Sequence, residues 1–197
     1  MTFFEPPPLP LEREPSAPQP VWLGPPDNVI GAASALAIVL ARTDDVALGI
    51  TGLVAFPTGF SLRLSLRRRV PSPLGPAWGD PFHHQHPTSS TLAPDVLRFG
   101  IQFSDGRKAT TLDGFPNRDP HRPGELPSGP VLIHRGGSGG SGHAFDHDYW
   151  VWPLPPAGPL AFVCEWPAEG IALTRIEIDA GAILEAATRA NVLWNAP

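Results

Sequence analysis

Apolar residues recur at every second position along most of this chain. Leu36, Ile38 and Leu40 point one way within Ala35–Ala41. After the turn residues Arg42–Asp45, Val46, Leu48 and Ile50 alternate again, and Leu53–Phe56 follows before a turn at Pro57–Gly59. A period of two is the signature of a strand. It is clearest at Phe60–Arg67. Phe60, Leu62, Leu64 and Leu66 take one face there, and Ser61, Arg63, Ser65 and Arg67 take the other. That pattern predicts a half-buried antiparallel strand with one solvated face. A helical period would scatter the same leucines around the circumference.

The pattern resumes beyond a long proline-rich connection over residues 70–94. Leu97, Phe99, Ile101 and Phe103 share a face, and Ser104–Arg107 carries the Asp-Gly pair that supplies positive φ in tight hairpins. Lys108–Leu112 returns. Pro130–Arg135 predicts a short strand. Asp148–Leu154 and Pro159–Trp166 predict two aromatic strands, the second with Leu160, Phe162, Cys164 and Trp166 on one face. Ile171–Ile178 predicts another, with a slip in alternation near Arg175 of the kind a bulge makes. Only the C-terminus carries a helical stripe, through Ile183, Leu184, Ala187, Ala190 and Leu193 or Trp194, with Asp179 placed to cap it.

These elements predict a mostly-β fold, an antiparallel β-sandwich of about 8–9 strands with one C-terminal α-helix over about residues 180–194. Residues 1–20 lack apolar periodicity and are rich in proline, so a disordered, proline-rich N-terminal tail is expected there. Within it, Pro6–Pro10 (PPPLP) reads as plain tail rather than as a docking peptide. Residues 21–197 then form a single domain. Strands that are not interleaved with helices argue against a parallel α/β fold.

Composition narrows the function. The net charge is −5, with 14 Lys and Arg in 197 residues, which is poor provision for neutralising phosphates, so no nucleic-acid partner is expected. The one basic cluster, Arg67–Arg69, reads as a solvated strand end. The longest apolar run, Val29–Ala41, is too short to span a bilayer, which needs about 20 residues. No membrane association is expected. The N-terminus has neither a basic start nor a long apolar stretch of the secretory kind. A single cysteine, Cys164, allows no internal disulfide and is compatible with a cytoplasmic setting.

Candidate chemistry gathers in one stretch, His134–Pro156. Five glycines among residues 136–142 run into His143, Asp146, His147 and Asp148. Gly137–Gly142 matches GxGxxG and Gly136–Gly140 matches GxSxG. The dinucleotide motif needs a helix start to offer N–H groups to a pyrophosphate, and the nucleophile elbow needs a strand-to-helix turn. Here a strand and then Pro153, Pro155 and Pro156 follow, so both readings fail. The glycine run therefore reads as a flexible tether. Tyr149 and Trp150 beside it, with Arg135 and Gly139, form the expected binding surface. Trp22, Trp150, Trp152 and Trp166 read as core aromatics in preference to a sugar-stacking platform.

Histidine offers an alternative. On a strand, Asp146 and Asp148 share one face and His147 takes the other with Tyr149, so only a bent loop brings His143, Asp146 and His147 together around a divalent metal. His84 and His86 in the long loop are a second candidate pair, and His134 another neighbour. The His84-x-His86 pair resembles the cupin HxH pair, but Pro87–Leu92 that follows holds no carboxylate, and the pattern fails at that ligand.

From Ala35 to Leu66, and from Gly129 to Trp194, the chain resembles a family of conserved hypothetical actinobacterial proteins of unknown function. The residues that carry this are LRFGIQFSDGRKAT (97–110), the glycine run before YWVWPLPPAGPLAFVCEWPAEGIALTRIEIDA (149–180), and ILEAATRANVLW (183–194). The resemblance implies a host class and a cytosolic setting and supplies no catalytic residues. The function expected from the sequence is a non-enzymatic β-sandwich binding or assembly module with a protein partner and no cofactor. The alternative is a metal-dependent enzyme using the residues around 143–148.

Overall fold

The computed structural model describes residues 19–71, 92–113, 126–138 and 142–194. Residues 1–18 of the expected tail, and most of the long proline-rich connection, lie outside them. Among the described residues the fold is mostly β with a single α-helix, as the alternation predicts. Among the described residues, no helix is long and apolar enough to cross a membrane.

Two antiparallel sheets face one another. The larger is built on the hairpin of β4 (Val46–Phe56) and β5 (Gly59–Arg68). β5 pairs on its other side with β9 (Ala144–Trp152), and β9 with β8 (Val131–Ser138), which forms one edge. The outer side of β4 is shared by β2 (Ala32–Ser34) along its second half and β3 (Ile38–Arg42) along its first. The smaller sheet runs β11 (Ile171–Asp179), β10 (Pro159–Trp166), β6 (Arg98–Gln102) and β7 (Lys108–Thr110). β11 comes alongside β3, and β7 alongside β8, so the sheets approach each other at both edges.

The inward set is the one the alternation selects. Leu62, Leu64 and Leu66 of β5, Phe99 and Ile101 of β6, and Phe162 and Cys164 of β10 are all buried in one continuous core. β4 stays inward over 11 residues only because it carries a bulge between Ile50 and Gly52. The inward set changes there from Val46, Leu48 and Ile50 to Leu53 and Ala55, and Thr51 turns outward to bond Ser65, with 2.6 Å between the hydroxyl oxygens. The slip expected near Arg175 falls just before it: β11 pairs with β10 without interruption from Thr174 to Asp179, and three steps of β11, Ile171 to Thr174, then oppose two of β10, Trp166 to Cys164.

The helix is shorter than its stripe predicts. α1 spans Gly181–Thr188 and packs Ile183, Ala186 and Ala187 against β2, β4 and β5. The chain then forms β12 (Asn191–Val192), paired with β1 (Val29–Ile30), and the Leu193 N–H donates to the Asn28 carbonyl at 2.9 Å. This pairing claims the last turns of the expected helix, and Val192, Leu193 and Trp194 are left exposed. The helix starts one residue later than expected, with Ala180 at the N-cap position and no side-chain bond from it, yet the expected carboxylate still meets the helix start. Ala180 already has helical angles, and the Asp179 carboxylate accepts the Gly181 N–H at 2.9 Å. Replacing Asp179 by Ala is expected to lower stability by about 1 kcal/mol, seen as a lower urea midpoint with an unchanged slope. Replacement by Asn should restore most of the loss.

Candidate functional site

The glycine run begins as strand. Gly136, Gly137 and Ser138 belong to β8 and pair with Asp148, His147 and Asp146 of β9. Gly136 sits at φ +134° just past a register shift after His134, a conformation that glycine takes without penalty. Gly137 is required by close approach. A Cβ there would lie 2.6 Å from the Asp146 carbonyl oxygen and 2.9 Å from the His147 ring. The tether reading therefore fails for residues 136–138, while Gly139 lies outside the described residues.

β9 separates the histidine from the carboxylates by the parity of the strand. His147 pairs with Leu64 and points inward, 3% exposed, with its ring stacked 4.6 Å from that of His134. His134 in turn meets Tyr149 edge-on at 5.6 Å. Asp146 and Asp148 point outward, to Arg67 at 2.8 Å and to Arg63 at 2.8 Å. Burial alone would raise the Asp146 carboxyl. Hydrogen bonds from Arg67 and Ser65, and the charges of Arg67 and Arg63, outweigh it and hold that carboxyl below the ordinary carboxylate range. The Arg63 guanidinium is held above its ordinary value by its hydrogen bond to Asp148 and by that charge. The His143 Nδ1 lies 3.1 Å from the Arg68 carbonyl.

His143, Asp146 and His147 thus do not converge, because Asp146 and His147 occupy opposite faces of one sheet. Among the described residues, no group of three or more His, Cys, Asp or Glu side chains is placed to hold a metal ion. His84 and His86 lie outside the described residues. Tyr149 and Trp150, expected at a binding surface, are 3% and 0% exposed. Tyr149 faces the interior. Trp150 lies on the outer side of the sheet beneath Trp22 in a second, smaller apolar cluster with Val131 and Ile133. Arg135 is exposed, and its Nη1 donates to the Leu23 carbonyl at 3.1 Å. Cys164 is buried between the sheets, and burial pushes its thiol up to about 11, which keeps it protonated and unreactive near neutrality.

The concave feature that this end of the larger sheet does form was read from sequence as a plain strand end. A cleft of about 450 Å³ opens between the β3–β4 turn and the end of β5. Arg42, Thr43 and Asp45 line one wall, and Arg67, Arg68 and Arg69 the other. Its frame is set by backbone bonds. The Thr43 N–H donates to the Val46 carbonyl at 2.8 Å, the Arg69 N–H to the Asp45 carbonyl at 2.8 Å, and the Arg68 N–H to the His143 carbonyl at 2.7 Å. The last of these ties the β8–β9 connection to the cleft. Two of the arginines are committed to structure. Arg67 pairs with Asp146, and Arg68 pairs with Glu169 at 2.7 Å while its guanidinium lies 5.1 Å over the Trp166 ring. Arg42 and Arg69 stand exposed at the rim with Asp44 and Asp45. The Arg67–Arg69 run signals this cleft in sequence, but its opposite wall comes from a turn more than 20 positions earlier.

No protein-family model, curated protein or solved structure matches the chain.

Proposed function

We propose that this protein is a non-enzymatic β-sandwich binding or assembly module, acting in the cytoplasm on a protein partner. Its contact surface is the end of the larger sheet that carries the arginine-lined cleft. The observation that carries this reading is the cleft itself. It is held rigid by backbone bonds from three separate segments, and it presents Arg42 and Arg69 beside Asp44 and Asp45 at an exposed rim. Rigid elements that present charged side chains of both signs favour a directed polar contact and lower the ordering cost of binding. A rim that sets Arg42 and Arg69 against Asp44 and Asp45, with Arg67 and Arg68 already paired to carboxylates, on an acidic chain, fits a protein surface better than a nucleic acid.

The test is quantitative capture from host lysate by the full chain and by a double variant, Arg42→Glu with Arg69→Glu. A partner recovered by the wild type and lost by the variant, at an unchanged melting temperature, is the expected result. Equal recovery by both proteins would move the contact to another face.

A further inference from the structure

Residues 19–28 cross the outer face of the larger sheet without joining it. Pro20, Pro25 and Pro26 have no N–H to give to a ladder. Up to Asp27 the segment's backbone bonds are local, from Leu23 N–H to the Pro20 carbonyl at 2.9 Å and from Val29 N–H to the Pro26 carbonyl at 3.3 Å, and only its far end is tied to distant backbone, where the Asn28 carbonyl accepts the Leu193 N–H at 2.9 Å. Two features fasten it to the sheet. Trp22, 5% exposed, is sunk among Val131, Ile133 and Trp150, with Leu23, Phe56 and Trp152 packed around them. Arg135 donates to the Leu23 carbonyl.

This cluster is separate from the main core. The segment can therefore lift away without opening the space between the sheets. The groove beneath it has a definite chemistry. Phe56 meets Trp150 edge-on, with centroids 5.6 Å apart, and the buried Trp150 Nε1 has no hydrogen-bond partner among the described residues. Aromatic walls, an unsatisfied donor and a guanidinium that takes a backbone carbonyl are the parts that recognise an extended, proline-restricted peptide.

We infer that this groove is a recognition site for an extended segment of a partner protein in which a tryptophan is flanked by prolines, and that residues 19–26 are its built-in occupant. The site is distinct from the arginine-lined cleft and stands whether or not that cleft binds a partner. An occupant on the same chain competes at the effective concentration of a tether, about millimolar. A partner segment therefore binds weakly until the strap is displaced or weakened.

The test uses a fluorescent synthetic peptide with the sequence Gln19–Asn28, titrated into the full-length protein. Trp22→Ala, which keeps the groove but removes the anchor, is expected to bind the peptide at least about tenfold more tightly than the wild type. Adding Ile133→Glu should abolish that binding. A concentration-dependent dimer of the wild type that is lost in Trp22→Ala supports the same site, with a second copy's strap as occupant. No peptide binding by a Trp22→Ala protein with native far-UV dichroism, or equal binding by both proteins, overturns the inference. Amide exchange on the wild type gives a reading that no variant can confuse. The Leu23 amide should exchange at least about tenfold faster than the amides of β5, because the strap opens on its own. Exchange at the same rate would make the strap an inseparable part of the fold and end the proposal.

Discussion

Phe99→Ala is expected to lower stability by about 3–5 kcal/mol, the largest single effect foreseen for this chain. Phe99 is 2% exposed on β6, at the centre of the smaller sheet. Its ring lies 6.4 Å from that of Phe162 on the neighbouring strand and 5.9 Å from that of Tyr149 on the facing sheet. It is therefore a direct bridge between the two layers. Truncation removes the transfer free energy of the ring and leaves a cavity walled by two further rings, which cannot collapse without moving a strand. The measurement is a urea or guanidinium melt. The expected outcome is a much lower midpoint with an unchanged slope. A loss below about 1 kcal/mol would mean that the two sheets do not meet at this residue.

Gly137→Ala is expected to cost about 1–3 kcal/mol, although a glycine-rich run ordinarily tolerates alanine. The added Cβ would fall 2.6 Å from a backbone carbonyl and 2.9 Å from a buried imidazole. Neither neighbour is the free end of a flexible side chain, so β8 must shift away from β9 or His147 must tilt against His134. The same melt reads the cost. Gly129→Ala serves as control, since no heavy atom lies within 4 Å of a Cβ built there, and should be near neutral. If the two variants melt alike, Gly136–Ser138 is tether after all.

The outcome for the histidine and aspartate cluster follows from a rule that was visible in the chain. Parity alone assigns Asp146 and Asp148 to one face and His147 to the other, as β9 has them. The salt partners were half visible. Arg63 and Arg67 share the polar face of their own strand, but nothing in the spacing says that β9, some 80 residues later, lies beside β5 in a register that sets Arg63 opposite Asp148. Trp150 marks the limit more sharply. Alternation sends it to the outer face, where it would stand as a binding aromatic. It is buried only because Trp22, more than 120 positions earlier, lies across it.

By itself the sequence determined most of the inward set, that the layers are sheets, that a turn falls at Ser104–Arg107 and that a helix follows Asp179. These are local matters. Side-chain alternation, positive φ at Gly106 and a carboxylate at a helix start each depend on a few neighbouring residues. Tertiary structure decided the rest. It decided where β4 bulges, that α1 stops at Thr188 so that Asn191 and Val192 can pair with Ile30 and Val29, and that a cleft forms between Arg42 and Arg69. It also decided that part of the outer face is covered by the chain's own strap. Each of these depends on segments distant in the chain being brought into one register. Their energy lies in contacts across the sheet, which no window along the chain contains.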